Sequence, residues 1–381
     1  MALPLDGVRI LDSAHQYPGP YCTMLLADMG AEVLKVERPG GGDPARQVPD
    51  FFRTINRNKR SLTLDMKTPA GKEILLRLVE QYDVFTEGFR PGVTERLGID
   101  FESLSKINPR LIYCSISGYG QNGPFRDVPG HDLNYQSMAG MLEGFRDKDG
   151  EYIAPRITVA DLSSGMFAAV GILGGLASRE KSGKGLYVDV SMFDGLLSWM
   201  SASVGMTFAA GMFDFGQDAG YGIFKGADGK SFTLGIAHED WFWQRLCSVI
   251  GLEEHAGLNA LERRLERPDV EKDLQTGFSR KDRDEWVKML IEADVPVAPV
   301  NDMETLPSSR AQTWSVLSAR EISPNTKRES LESCPRRRAS SSLRQGTAWQ
   351  RYDPRTTRWP SSTRFIPMDR PKRPLMAQLE R

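Results

Sequence analysis

Residues 7–39 read GVRILDSAHQYPGPYCTMLLADMGAEVLKVERP, and this stretch decides the fold class. Residues 8–12 form a short apolar run of the kind that makes a buried strand. Residues 20–29 carry apolar side chains at helical spacing and stop at Gly30. Residues 32–37 then alternate as a strand does, with Val33, Leu34 and Val36 as the apolar members. Strands interleaved with helices argue for an α/β domain built on a largely parallel sheet.

The same reading extends outward. Residues 61–66, 83–89, 111–117 and 187–190 predict further strands. Pro69 opens a helix through Ile74, Leu75, Leu78 and Val79, at a position where its missing N–H is harmless. Residues 132–143, 161–180 and 192–212 predict helices, and the loop 118–130 carries four glycines and two prolines. The charge-free stretch 162–178 is just under membrane-span length and reads as a buried helix. After about residue 220 the character changes. Residues 221–236 read as a hairpin turning at Ala227-Asp228-Gly229, and 241–250 and 281–292 as amphipathic helices. The expected organisation is a large α/β domain over 1–195, a linker helix over 196–220, a smaller α+β domain over 221–306 and an atypical tail over 307–381.

The chain has 381 residues, 40% apolar and 26% charged, which excludes a collagen-like or wholly disordered protein. Four scattered cysteines make no disulfide framework and no zinc spacing, so a reducing cytoplasm is the expected location. The N-terminus meets acidic residues at once and has no apolar signal core. A net charge of −1 hides a split: residues 1–306 hold 33 basic against 44 acidic residues, while 307–381 hold 16 basic against 6. The tail also has 12 Ser and 8 Pro but one of the 36 Gly. It admits three readings: a nucleic-acid-binding arm, plain disorder, or a gene read out of frame. The acidic body, without aromatic–basic interleaving, argues against nucleic acid as a partner.

Among the four histidines (His15, His131, His238 and His255), His131 stands out. It follows Pro129-Gly130 and opens a helix, so it faces a cleft or caps that helix. Asp161 follows an apolar segment and precedes Leu162-Ser163-Ser164-Gly165, as an N-cap does. A carboxylate there fits a structural cap. It also fits a base or nucleophile beside free amides able to hold an oxyanion. The basic run 56–60 (NRNKR), Arg38 and Arg90 are anion-binding candidates, the two arginines because each follows a strand. No GxGxxG or GxxxxGK[ST] motif supports a dinucleotide or P-loop site.

Taken together, GVRILD, PGPYCTMLLADMGAEVLKVERP, NRNKRSLTLDMKTPAGKE, EGFRPGVTERLGID, NPRLIYCSISGYGQNGP, GHDLNY, VADLSSGM and SGKGLYVDVSMFDG resemble the class III CoA-transferase family of CaiB/BaiF type. That family includes the α-methylacyl-CoA racemases, and the resemblance runs from residue 1 to about 305. It implies a Rossmann-like large domain with a smaller domain, two chains interlocking like links into a homodimer. It also implies that Arg38, Leu64, Asp65, Met66, Lys67, Gly88, Phe89, Arg90, Arg96, Gly130, Asp132, Leu133, Asn134 and Tyr135 match stretches that hold the CoA moiety.

Within the family, Gly130–Tyr135 matches the racemases' GHD[IL]NY stretch in full, with His131 and Asp161 as the two acid–base residues. The position of the formyl-CoA transferase glutamine falls on Tyr17, beside Gln16, and the transferases' glycine quartet has no counterpart before Phe224. Against this, Leu162-Ser163-Ser164-Gly165 looks like the transferases, and the family's usual C-terminal segment is not recognisable after Leu306. The expected activity is racemisation of 2-methylacyl-CoA through an enolate, with Glu239 orienting His131 from the small domain or from the partner chain. The alternative is CoA transfer through Asp161 as covalent nucleophile. The acyl-CoA substrate brings the coenzyme, and no metal, redox cofactor, nucleic acid or membrane partner is expected.

Overall fold

The computed structural model describes residues 3–147, 149–211 and 218–302. Six strands form one parallel sheet: β1 (Arg9–Asp12), β2 (Glu32–Glu37), β3 (Lys59–Thr63), β4 (Val84–Glu87), β5 (Ile112–Ser117) and β6 (Leu186–Ser191). Their order is β3-β2-β1-β4-β5-β6, the doubly wound arrangement in which the chain reverses direction across the sheet between β1 and β4.

Successive residues go to opposite faces and both faces are covered. Ile10, Val84, Ile112 and Cys114 pack into one core, and Leu11, Phe85 and Tyr113 into the other. The first core lies against helices Pro18–Asp28 and Val159–Ser182. The second helix is 24 residues long and apolar enough to cross a membrane by length and composition alone. Only one of its faces is buried, contrary to the reading of 162–178. Ala160, Ala168 and Ile172 are buried, while Met166 and Val170 are 44% and 64% exposed. Small residues allow its close approach: a Cβ on Gly165 would come within 2.7 Å of the Pro18 carbonyl oxygen.

A second, antiparallel sheet joins β7 (Tyr221–Lys225), β8 (Ser231–Gly235) and β9 (Val297–Pro299) in that order. Its core gathers Phe224, Phe232, Trp243, Phe278 and Trp286.

Several element bounds differ from those expected. The strand expected over 61–66 is shifted to Lys59–Thr63, because Lys59 already pairs with Val33. The helix expected over 132–143 ends at Met138, and Gly140, at φ 76°, turns the chain into the short helical turn Met141–Gly144. The helix expected over 192–212 is two, Met192–Trp199 and Ser201–Ala210. Residues 212–217 of the expected linker, and the atypical tail 307–381 entire, lie outside the described residues.

Candidate active site

Loops leaving β1 and β4 diverge at the reversal point and open a crevice beyond the carboxyl ends of the strands. A cavity of about 430 Å³ occupies it. The turn after β1 and the helix start that follows it contribute His15, Gln16, Pro18 and Gly19 to its wall, and the turn after β4 contributes Gly88, Phe89 and Arg90, with Arg96 from the short helix Val93–Leu97 beyond it. Ser117 and Gly118 come from the end of β5, and Gly130, His131, Tyr135 and Asp161 from two helix starts. A second cavity of about 380 Å³ shares His15, Phe89 and Val93 with the first and is lined by Arg38, Leu64, Asp65, Met66 and Lys67. Two adjoining cavities therefore collect His131 and Asp161, though not Glu239, and most of the residues expected to hold the coenzyme.

Asp161 is the third residue of its helix rather than the N-cap, which is Thr158. The cap role belongs to Asp132, whose Oδ1 accepts from the amides of Ala160 (2.7 Å) and Asp161 (3.2 Å). Asp132 is thus structural and does not line either cavity. The neighbouring amides of Val159 and Leu162 donate to Ile157 and Thr158. The expectation of free amides beside Asp161, ready for an oxyanion, is therefore corrected: this first turn has none to offer. Burial pushes the half-buried Asp161 carboxyl up to about 7, and the nearby Asp132 carboxylate adds to the effect.

His131 is exposed and sits at the N-cap position of helix Asp132–Met138. Its backbone N–H donates to Asn134 Oδ1 at 3.0 Å, so Asn134 fixes the turn rather than lining the cavity. Leu133, 45% exposed, lines neither cavity. Tyr135 donates its hydroxyl to the Gly130 carbonyl at 2.7 Å and closes this corner. Glu239 lies elsewhere, at the start of helix Asp240–Ile250, where its carboxylate accepts from the amides of Ala237 and His238 at 3.1 Å. Among the described residues it makes no hydrogen bond or ion pair with His131, so this chain alone does not supply the orienting contact expected of it.

The basic run 56–60 is not an anion site, because each of its cations already has a carboxylate. Arg57 pairs with Asp28 (2.5 Å), Arg60 with Glu32 (3.4 Å) and Lys59 with Asp12 (3.2 Å). That last pair belongs to a buried cluster under the cavity floor. Lys35 Nζ reaches Asp43 at 2.9 Å and the Ala14 carbonyl at 2.8 Å. Lys59 Nζ reaches the Pro20 carbonyl at 2.8 Å, and Asp43 accepts from the Gln16 amide at 3.0 Å. The cluster therefore pins both ends of the turn after β1, where Gln16 holds a left-handed φ of 65°. Burial alone would raise Asp12, but Lys35 and Lys59 outweigh it and hold it at about 2.

Sequence reasoning missed His15, Gln16, Ser117 and Arg126 as cavity residues. Arg126 carried a usable signal, a cation within a Gly/Pro-rich loop. His15 and Gln16 follow the first strand, but only the strand order shows that this strand borders the crevice.

A family model described as CoA-transferase family III matches residues 5–332. The chain belongs to CoA-transferase family III. The match passes residue 306, where the sequence changes character, and ends 26 residues later. Family III relatives include an acetyl-CoA:oxalate CoA-transferase of Acetobacter aceti, 35% identical over 343 residues, 84% of this chain and 87% of the relative. They also include the human α-methylacyl-CoA racemase, 34% identical over 312 residues and 79% of each chain. A CaiB/BaiF family protein from Brucella suis superposes with a TM-score of 0.72 at 30% identity, over 81% of this chain and 87% of that one. The parallel six-stranded sheet is thus the family III fold, and the chain is an enzyme of the group whose members act on acyl-CoA.

Proposed function

We propose that this enzyme racemises 2-methylacyl-CoA thioesters by 1,1-proton transfer. The observation that carries the reading is the shared wall of one cavity: His131 and Asp161 both line it, and Asp161 is raised to about 7. An acid–base group works best when its pKa lies near the operating pH. The thioester acidifies its α-hydrogen. One residue removes that proton from one face, the C–H electron pair passes through the enolate to the carbonyl oxygen, and the other residue returns a proton to the opposite face. Each residue ends in the state in which the other began. The adjoining cavity with Arg38 and Lys67 suits the anionic end of the coenzyme. The coenzyme arrives as part of the substrate, and the enzyme works as an interlocked homodimer in the cytoplasm.

The test is incubation of one enantiomer of a 2-methylacyl-CoA in D2O, with and without a free acid acceptor. Deuterium incorporation and loss of optical purity without an acceptor are expected. His131→Ala lowers racemisation at least ~100-fold, the usual scale for an acid–base group. Unchanged racemisation in that variant removes His131 from the mechanism.

The second reading is CoA transfer between carboxylic acids. It is favoured by Arg90 and Arg96, which line the cavity and make no ion pair among the described residues. Such guanidinium groups suit an incoming carboxylate. Here Asp161 attacks the thioester and expels CoA thiolate, forming a mixed anhydride. The thiolate then attacks the aspartyl carbonyl, releasing the acid and leaving aspartyl-CoA. Hydroxylamine trapping at Asp161 during acid-dependent CoA exchange identifies this route.

A further inference from the structure

One substrate spans two cavities in the reading above, with its anionic end at Arg38 and Lys67 and its thioester at His131 and Asp161. A substrate held at one end reacts at the other only if the two walls keep their spacing. Those walls come from different elements. Gln16 and Pro18, after β1, line the first cavity, and Arg38 and Pro44, after β2, line the second, while His15 lines both.

Asp43 joins the two segments. It is fully buried and lines neither cavity. Its Oδ1 caps the helical turn Pro44–Gln47, accepting from the Ala45 amide at 2.9 Å. A cap needs no more than that bond. The same oxygen also accepts from the Gln16 amide at 3.0 Å, across 27 residues of chain. The other oxygen pairs with Lys35 Nζ at 2.9 Å, and Lys35 donates to the Ala14 carbonyl at 2.8 Å. Asp43 therefore holds the turn after β1 on both sides of His15, directly at Gln16 and through Lys35 at Ala14. Gln16 keeps a left-handed φ of 65°, which a residue other than glycine adopts only when its surroundings impose it. Asp43 is anchored in its turn. Its N–H donates to Glu37 Oε1 at 2.9 Å, at the end of β2, and Glu37 also accepts from Arg46 at 2.8 and 2.6 Å.

We propose that Asp43 is a positioning residue that sets the spacing of the two cavities, so that a substrate anchored at its coenzyme end presents its thioester to His131 and Asp161. Asp43 touches no substrate and acts through Gln16 on one wall and Ala45 on the other. The proposal rests on the reading that the coenzyme end occupies the cavity with Arg38, and it holds for racemisation and CoA transfer alike.

The test compares an acyl-CoA with the acyl-pantetheine of the same acid, which lacks the anionic end. The acyl group is 2-methylacyl, or the transferred acid if the enzyme performs acid-dependent exchange. In wild type the acyl-CoA is expected to have the lower KM and at least a tenfold higher kcat. Asp43→Ala is expected to lower kcat for the acyl-CoA at least tenfold, since a misplacement of about 1 Å can cost 100-fold. Its kcat for the acyl-pantetheine, which no anchor holds in register, stays within about twofold of wild type. Equal losses on both substrates overturn the proposal, since that is the mark of a merely structural aspartate, and so does an unchanged kcat for the acyl-CoA. Asp43→Asn, which keeps the size and one oxygen acceptor, is read by the same comparison if Asp43→Ala does not fold, with at least a threefold loss expected on the acyl-CoA alone. Wild type decides independently of any variant: equal kcat for the two substrates with a lower KM for the acyl-CoA overturns the proposal and leaves the reading of the second cavity standing. Equal kcat and equal KM overturn that reading, and the proposal with it.

Discussion

Asp161→Asn removes a charge that the fold holds at a cost. The carboxyl is raised from 3.8 to about 7, first by burial and then by Asp132. At about 1.36 kcal/mol per pH unit, ionising it in place costs at most ~4 kcal/mol. Partial exposure lets water screen the charge, which reduces the observable share to roughly 1–2 kcal/mol. The sign follows from linkage. Between the ordinary and the raised value the folded state binds the proton and the unfolded state does not, so wild-type stability falls as pH rises through this window. Asparagine keeps the shape and does not titrate. Its advantage over wild type therefore grows from about pH 4 to about pH 7 and is level above that. Urea unfolding of both proteins at intervals from pH 4 to pH 8 measures it, with activity abolished in the variant throughout. A stability gap that is flat with pH, or that shrinks as pH rises, refutes the argument that Asp161 is a buried carboxyl with a like charge beside it.

Two further outcomes follow from the cavity floor and the adjoining cavity. Asp12→Asn strips a partner from Lys35 and Lys59, whose side chains are 1% and 2% exposed, and should cost about 3–5 kcal/mol in urea unfolding. Because Asp12 is held at about 2, below its ordinary 3.8, it stabilises the fold above that ordinary value. The deficit of the variant should therefore narrow as pH falls from about 4 toward 2. Arg38→Ala, in the cavity with Lys67, should raise KM for acyl-CoA about tenfold and leave kcat within about twofold. A fall in kcat at constant KM would place Arg38 at the reacting centre instead.

Much of this protein was determined locally. Strands such as Ile112–Ser117, buried on both sides, are legible because a covered parallel strand is apolar nearly throughout, and GHDLNY and VADLSSGM mark two helix starts by chemistry carried within a few residues. Sequence neighbours could not reveal which side chains share a wall. The basic run 56–60 looked free because Asp12, Asp28 and Glu32, which neutralise it, lie 28 to 47 residues away in the chain. Asp161 looked like a cap beside open amides because Asp132, which closes them, comes from another helix. Periodicity and turn chemistry act over a few residues and are written in order along the chain. Charge neutralisation, desolvation and hydrogen-bond satisfaction depend on distance in space, and only the tertiary structure sets those distances.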